Sequence, residues 1–236
     1  MPEKKTLDII LPCYNPPKGW GKYAVDRFKK LELERSEVDF GLIIINDDSK
    51  NDVEEDVRFI KGEIPNLIYD SHSPNRGKGF TLRHGIEKSQ SDWQIITDID
   101  FPYEHESTLA LIDSLLEGND VVVGVRGDEY YENVPKSRTR LSKFVRKLLK
   151  SVLKLPVSDT QCGLKGFNSK GKEVFLTTSI NRYLFDMEFI YLLHNNYKTN
   201  ITPLNVSLRD GVVFSKLNLK IFTSEAVNFL QIFFKR

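Results

Sequence analysis

Asp98 and Asp100 stand one residue apart at the end of the apolar stretch Trp93-Gln94-Ile95-Ile96-Thr97. A buried strand over 95–97 would alternate its side chains between faces, turning both carboxylates one way and leaving Ile99 in the core. Paired negative charge at the C-terminal lip of a sheet suits a hard divalent cation, the usual partner of a diphosphate. An Asp-X-Asp triplet alone is as readily a solvated loop or a helix cap. Three other groups bear on the choice. Asn46-Asp47-Asp48-Ser49 offers helix caps or ligands. Asn75-Arg76-Gly77-Lys78-Gly79 lacks the spacing of an ATPase phosphate loop, yet glycines before a helix, flanked by Arg76 and Lys78, offer an anion contact as well as a plain turn. In Phe185-Asp186-Met187-Glu188 a carboxylate could take a proton as general base, or merely cap or salt-bridge its helix.

The elements that must position these groups follow from hydrophobic patterning. Apolar runs over 6–11, 40–45, 66–69, 95–97 and 120–125 read as strands, and stretches 20–35, 53–62, 79–88 and 107–116 as helices. Pro12 closes the first strand, and Pro16 and Pro17 stiffen the loop after it. Strands alternating with helices give an α/β class, with a mostly parallel central sheet covered by helices on both faces. After Arg126 the pattern changes to an acidic aromatic loop, a basic helix over 137–155, a glycine-containing strand over 163–167, further helices and an apolar tail. No linker separates these parts. Residues 1–236 therefore read as one domain, with 1–126 the nucleotide-binding half and 127–236 the acceptor-binding half.

Composition narrows the classes. A formal net charge of +1 with 28% charged residues excludes a strongly basic nucleic-acid binder, and no nucleic acid partner is expected. No apolar run approaches the roughly 18 residues of a membrane span, and the start, Met1-Pro2-Glu3-Lys4-Lys5, reads as a lead into a strand rather than a signal peptide. A cytoplasmic protein is expected. Two cysteines, Cys13 and Cys162, are too few for a disulfide framework or a cysteine zinc site, and the four histidines form no zinc motif.

Pro12-Cys13-Tyr14-Asn15, Asn46-Asp47-Asp48-Ser49-Lys50, Asn75-Arg76-Gly77-Lys78-Gly79 and Asp98-Ile99-Asp100 follow successive strands in the order of the family 2 inverting glycosyltransferases of GT-A fold, and the chain resembles that family over nearly its whole length. Gly124-Val125-Arg126 is similar to the family's Gly-Ser-Arg. The run from Asp159 to Phe167, Asp-Thr-Gln-Cys-Gly-Leu-Lys-Gly-Phe, together with Phe185-Asp186-Met187-Glu188 and the segment from Asp210 to Lys216, looks like the dolichyl-phosphate glucose synthases, with the mannose synthases next. The resemblance implies transfer of a hexose from a UDP- or GDP-sugar, with inversion, to a polyprenyl phosphate. It implies that Pro12, Tyr14, Asn15, Asp47, Arg76, Lys78 and Asp98 bind the nucleotide sugar, with Asp47 accepting a hydrogen from the base. Asp98 and Asp100 would hold Mg²⁺ or Mn²⁺. Arg126, Arg138 and Arg140 would meet the acceptor phosphate, and Asp186, Glu188 and Arg126 would serve the chemistry, although a lipid phosphate already ionised near neutral pH would need no base. Asp48 departs from the family's usual Gly or Asn, Pro102 from a polar metal contact, and Ser207 from a Trp. Two rival readings stay open: a transferase of this fold with a saccharide or other soluble acceptor, and a nucleotide-sugar-binding protein without turnover.

From Lys136 to Ser158 the sequence carries eight basic residues and no acidic one. Leu141, Val145, Leu148, Val152 and Leu155 share one helical face, which predicts a membrane-surface helix and a peripheral place at the cytoplasmic face of a membrane.

Overall fold

The computed structural model describes residues 4–127, 155–157 and 159–212. Arg138, Arg140, nearly all of the basic stretch and the apolar tail lie outside the described residues. In chain order the elements are β1 (Lys5–Cys13), α1 (Trp20–Glu34), β2 (Val38–Asp47), α2 (Glu54–Glu63), β3 (Ile68–His72), α3 (Lys78–Lys88), β4 (Trp93–Ile96), α4 (His105–Leu116), β5 (Val121–Arg126), β6 (Lys165–Asn168), α5 (Ser169–Leu176), α6 (Phe185–Tyr191) and β7 (Ile201–Val206).

One seven-stranded sheet in the order β3-β2-β1-β4-β6-β5-β7 takes strands from both halves of the sequence. Its pairs are parallel except those of β6, which runs antiparallel between β4 and β5. Leu42, Ile43, Ile44 and Ile45 of β2 are all fully buried, because both faces of the sheet are covered. Ile9, Leu11 and Ile44 pack against Phe28 of α1 and Leu111 and Leu115 of α4 on one face. Ile10, Ile43 and Ile45 pack on the other against Leu82 and Ile86 of α3 and a cluster that includes Phe175 and Phe189. Each such side chain contributes about 1.5–3 kcal/mol by leaving water.

Two local expectations need correction. Pro12 does not end β1, which runs on to Cys13 with Pro12 opposite Ile45. Pairing of β1 with β4 stops at Ile10↔Ile96, so at Pro12 the strand has a neighbour on one side only, and a residue without N–H is tolerated. β4, in turn, ends at Ile96, and Asp98 and Asp100 lie in a turn closed by Phe101 N donating to Asp98 O at 3.0 Å. Turn geometry, with Phe101 at φ 43°, rather than strand alternation, sets the two carboxylates.

Candidate functional site

The C-terminal ends of the parallel strands and the start of antiparallel β6 share one edge of the sheet, where the chemistry-bearing groups collect. At the end of β1, Pro12 is half-buried and Tyr14 is 51% exposed. Asn15 donates its backbone N–H to Ser49 Oγ at 2.9 Å, and its side-chain oxygen accepts from Lys50 N at 2.7 Å. The loops after β1 and β2 are thereby tied together. Asp48 sits at φ 59°, a left-handed conformation that favours Gly or Asn, which gives a physical reason for the usual residues at this point of the resemblance. A 2.7 Å ion pair with Lys50 lowers its pKa.

Asp47 also holds the backbone beside it. Only 3% exposed, it accepts from Asn75 Nδ2 at 2.8 Å, Arg76 N at 2.6 Å and Gly77 N at 2.9 Å, with His72 Nδ1 3.5 Å away. Both oxygens accept from the loop that leads into α3, which gives Asp47 a part in shaping that loop beside the expected hydrogen bond to a base. The start of α3 is likewise occupied. Gly79 N and Phe80 N donate to Asn181 O at 2.8 and 3.3 Å, so a protein carbonyl fills the position predicted for an anion. A Cβ at Gly79 would stand 2.5 Å from Ile180 O and 2.7 Å from Phe185 Cβ. Gly79→Ala should therefore cost about 1–3 kcal/mol, read as a lower midpoint in urea unfolding; an unchanged midpoint would show that the loop yields freely.

Glu188 holds the segment between α5 and α6 that meets the start of α3. Fully buried, it accepts from Ser179 N at 3.1 and 3.0 Å, Ser179 Oγ at 3.0 Å and Ile180 N at 2.8 Å. That geometry presents a structural anchor, and the expected catalytic part for Glu188 is withdrawn. Arg76 stays exposed, its guanidinium carbon 3.5 Å from the centre of the Phe80 ring.

Charge converges beyond β4. Lys78 Nζ lies 2.5 Å from Asp98 Oδ1. Burial opposes ionisation of Asp98, but Lys78, with Lys165 and Arg126 farther off, outweighs it and lowers its pKa. Asp100 moves the opposite way, raised by burial and then by the like charge of Asp98. Lys165 is fully buried and donates to Asp186 Oδ1 at 2.5 Å and to Cys162 O. Burial raises the pKa of Asp186 despite Lys165 and Lys78. Arg126 pairs with Asp159 through two bonds, Nε to Oδ2 at 2.6 Å and Nη2 to Oδ1 at 2.9 Å, which fix the plane of its guanidinium.

The donor set fits a hard cation. Asp98 and Asp100 supply carboxylate oxygens only, and among the described residues no group of three or more His, Cys, Asp or Glu side chains assembles. An ion there would complete its coordination from phosphate and water, as Mg²⁺ and its relatives do. Gly163 faces Asp98, and a Cβ at that position would come within 2.6 Å of Asp98 Oδ2, so the glycine keeps the carboxylate clear.

Sequence reasoning marked the run 159–167 without assigning parts to Asp159 and Lys165, and passed over Tyr103 and Arg209. Tyr103 OH accepts from Gly163 N at 2.7 Å. Arg209 stacks over Tyr23 at 5.1 Å and donates to Phe101 O at 3.3 Å, bracing the turn that carries Asp100. Long-range contacts of this kind leave no periodic signal.

A family model described as Glycosyl transferase family 2 matches residues 8–175. A dolichyl-phosphate beta-glucosyltransferase of Trichomonas vaginalis is 24% identical over 98% of this chain and 74% of its own length. One of Dictyostelium discoideum is 28% identical over 86% of this chain and 65% of its own. Among solved structures, glucosyl-3-phosphoglycerate synthase from Mycobacterium tuberculosis, in complex with Mn²⁺, uridine-diphosphate and glucosyl-3-phosphoglycerate, superposes with a TM-score of 0.67 at 16% identity, over 98% of this chain and 79% of that one. The sheet order and this likeness are those of the GT-A fold.

Proposed function

This chain belongs to glycosyl transferase family 2, and from that premise we propose that it moves a hexose from a UDP- or GDP-sugar, with inversion, to a polyprenyl phosphate. The observation that carries the reading is the charged centre at the sheet edge, where Lys78 meets Asp98 beside Asp100 and Lys165 meets Asp186. The dolichyl-phosphate glucosyltransferases among its relatives support the lipid acceptor, and the neighbour complexed with Mn²⁺ and uridine-diphosphate supports a nucleotide donor and a divalent ion.

In this reading Pro12 and Tyr14 border the base and ribose, and Asn15 and Asp47 shape the loops around them. Arg76 and Lys78 stand by the diphosphate. Asp98 and Asp100 would hold Mg²⁺ or Mn²⁺, which when bound supplies charge for the departing nucleoside diphosphate. The bond between the anomeric carbon and the diphosphate oxygen breaks, its electron pair leaving with the nucleotide, as an acceptor oxygen bonds the same carbon from the opposite face. Any proton on that oxygen passes to Asp186; a phosphate monoester, with a second pKa of about 6, brings only a residual one. Arg126, Arg138 and Arg140 are proposed to meet the acceptor's negative charge. The nucleotide half of this single domain is assigned to 1–126 and the acceptor half to 127–236.

The test is transfer of labelled sugar from UDP-glucose or GDP-mannose to dolichyl phosphate in detergent, with and without Mn²⁺ or Mg²⁺. Metal-dependent label in the lipid fraction is the expected result. Label found only on a soluble acceptor such as 3-phosphoglycerate would favour the soluble-acceptor transferase, and nucleotide binding with no turnover on either would leave a binding protein. Among the described residues no helix is long and apolar enough to cross a membrane. Attachment by the basic stretch 136–158 is proposed on its sequence, and should appear as co-sedimentation with anionic but not neutral vesicles at low salt, reversed as salt is raised.

A further inference from the structure

Lys165 is the least expected residue of the sheet. Its neighbours Leu164, Gly166 and Phe167 are buried, it pairs in register with Ile96 and Val123, and its own exposure is zero. An ammonium there loses its hydration, and an ion pair so placed is seldom more stable than apolar residues of the same volume. Stability is therefore a poor reason for the pair. Location gives a better one: antiparallel β6 begins at the edge where the parallel strands end, so its first residue reaches the C-terminal end of β4, two residues before Asp98. There the ammonium takes one carboxylate oxygen, Asp186 Oδ1, and is itself anchored on Cys162 O. Among the described residues Asp186 Oδ2 accepts no hydrogen bond, and it is not among the buried polar atoms left without a partner.

We propose that Lys165 is a positioning residue for the transfer, holding Asp186 turned so that Oδ2 faces the acceptor oxygen. The inference rests on the reading of Asp186 as the proton acceptor given above. Burial alone would push Asp186 toward its neutral form, in which it cannot take a proton, and Lys165 opposes that push directly.

A double-mutant cycle in the transfer assay decides the matter. Assayed near pH 5, below the acceptor's second pKa of about 6 so that most of its phosphate keeps a proton, Asp186→Asn should lower kcat about tenfold, and Lys165→Met should do nearly the same, with UDP affinity close to wild type in both. Because Lys165 acts through Asp186, the double variant should be no worse than either single one. Losses that multiply would overturn the proposal, as would Lys165→Met retaining wild-type kcat while melting at a lower temperature. Should Lys165→Met fail to fold, Lys165→Gln, which keeps a donor without the charge, is read against the same outcomes. A wild-type kcat in Asp186→Asn would instead overturn the underlying reading of Asp186, whereas an impaired Asp186→Asn beside a fully active Lys165→Met defeats the part given to Lys165 alone.

Discussion

Asp100→Asn should erase the dependence of nucleotide affinity on divalent metal and at the same time raise the melting temperature. The wild-type protein is expected to bind UDP or GDP on the order of a hundredfold more tightly with Mn²⁺ than with EDTA, since an ion between carboxylate and diphosphate contributes several kcal/mol. The variant should bind weakly and equally in both. Its stability moves the other way because the folded pKa of Asp100 is raised by burial and by Asp98. A carboxylate whose pKa is raised on folding costs stability above the carboxylate range, where it must be charged in the folded state, and that cost disappears as pH falls through the folded value. The gain in melting temperature should accordingly be present near pH 7 and vanish in acid. Asp98→Asn makes the contrast: its folded pKa is lowered, chiefly by Lys78 working against burial, so its charge stabilises above the unfolded pKa and the substitution should destabilise at pH 7. Isothermal titration with each nucleotide and melting curves at two pH values measure all of this. Intact metal dependence in Asp100→Asn would remove the residue from the cation site.

Much of the scaffold was legible because it is periodic. Unbroken apolar runs such as Leu42 to Ile45 announce strands covered on both faces, and their alternation with amphipathic stretches announces a parallel sheet. Strand ends were misjudged where partnership rather than composition decides them, as at Pro12, whose strand continues because only one neighbour remains there. The antiparallel direction of β6 was not legible either, and with it went the importance of Lys165, which looks like any surface lysine until the sheet closes around it. Type and spacing single out charged residues, but not which of them face the sheet edge and which hold it. Asp186 and Glu188 lie two apart in one motif, and only packing shows one carboxylate on Lys165 and the other turned onto Ser179 and Ile180.

Asp47→Ala is the sharpest test of that distinction. Its carboxylate satisfies the backbone N–H groups of Arg76 and Gly77 and the side chain of Asn75, the Gly77 bond buried and the other two partly so, and a buried donor left without an acceptor costs about 1–3 kcal/mol. The whole change should cost roughly 3–5 kcal/mol, which for a chain of this size lowers the melting temperature by about 10 °C. Asp47→Asn, keeping one acceptor oxygen but turning an amide toward donors, should fall between. Asp48→Asn should be nearly neutral, because the side chain is partly exposed and asparagine tolerates the same left-handed backbone. The functional consequence follows from the chain path: residues 75–77 lead directly into Lys78, so a loosened loop shifts the ammonium away from Asp98 and weakens nucleotide binding together with stability. Urea unfolding and UDP titration on the same preparations separate the two contributions. If Asp47→Ala were to lose nucleotide affinity while its unfolding free energy stayed within about 1 kcal/mol of wild type, Asp47 would have to touch the base itself, and the loop-holding role assigned to it here would be wrong.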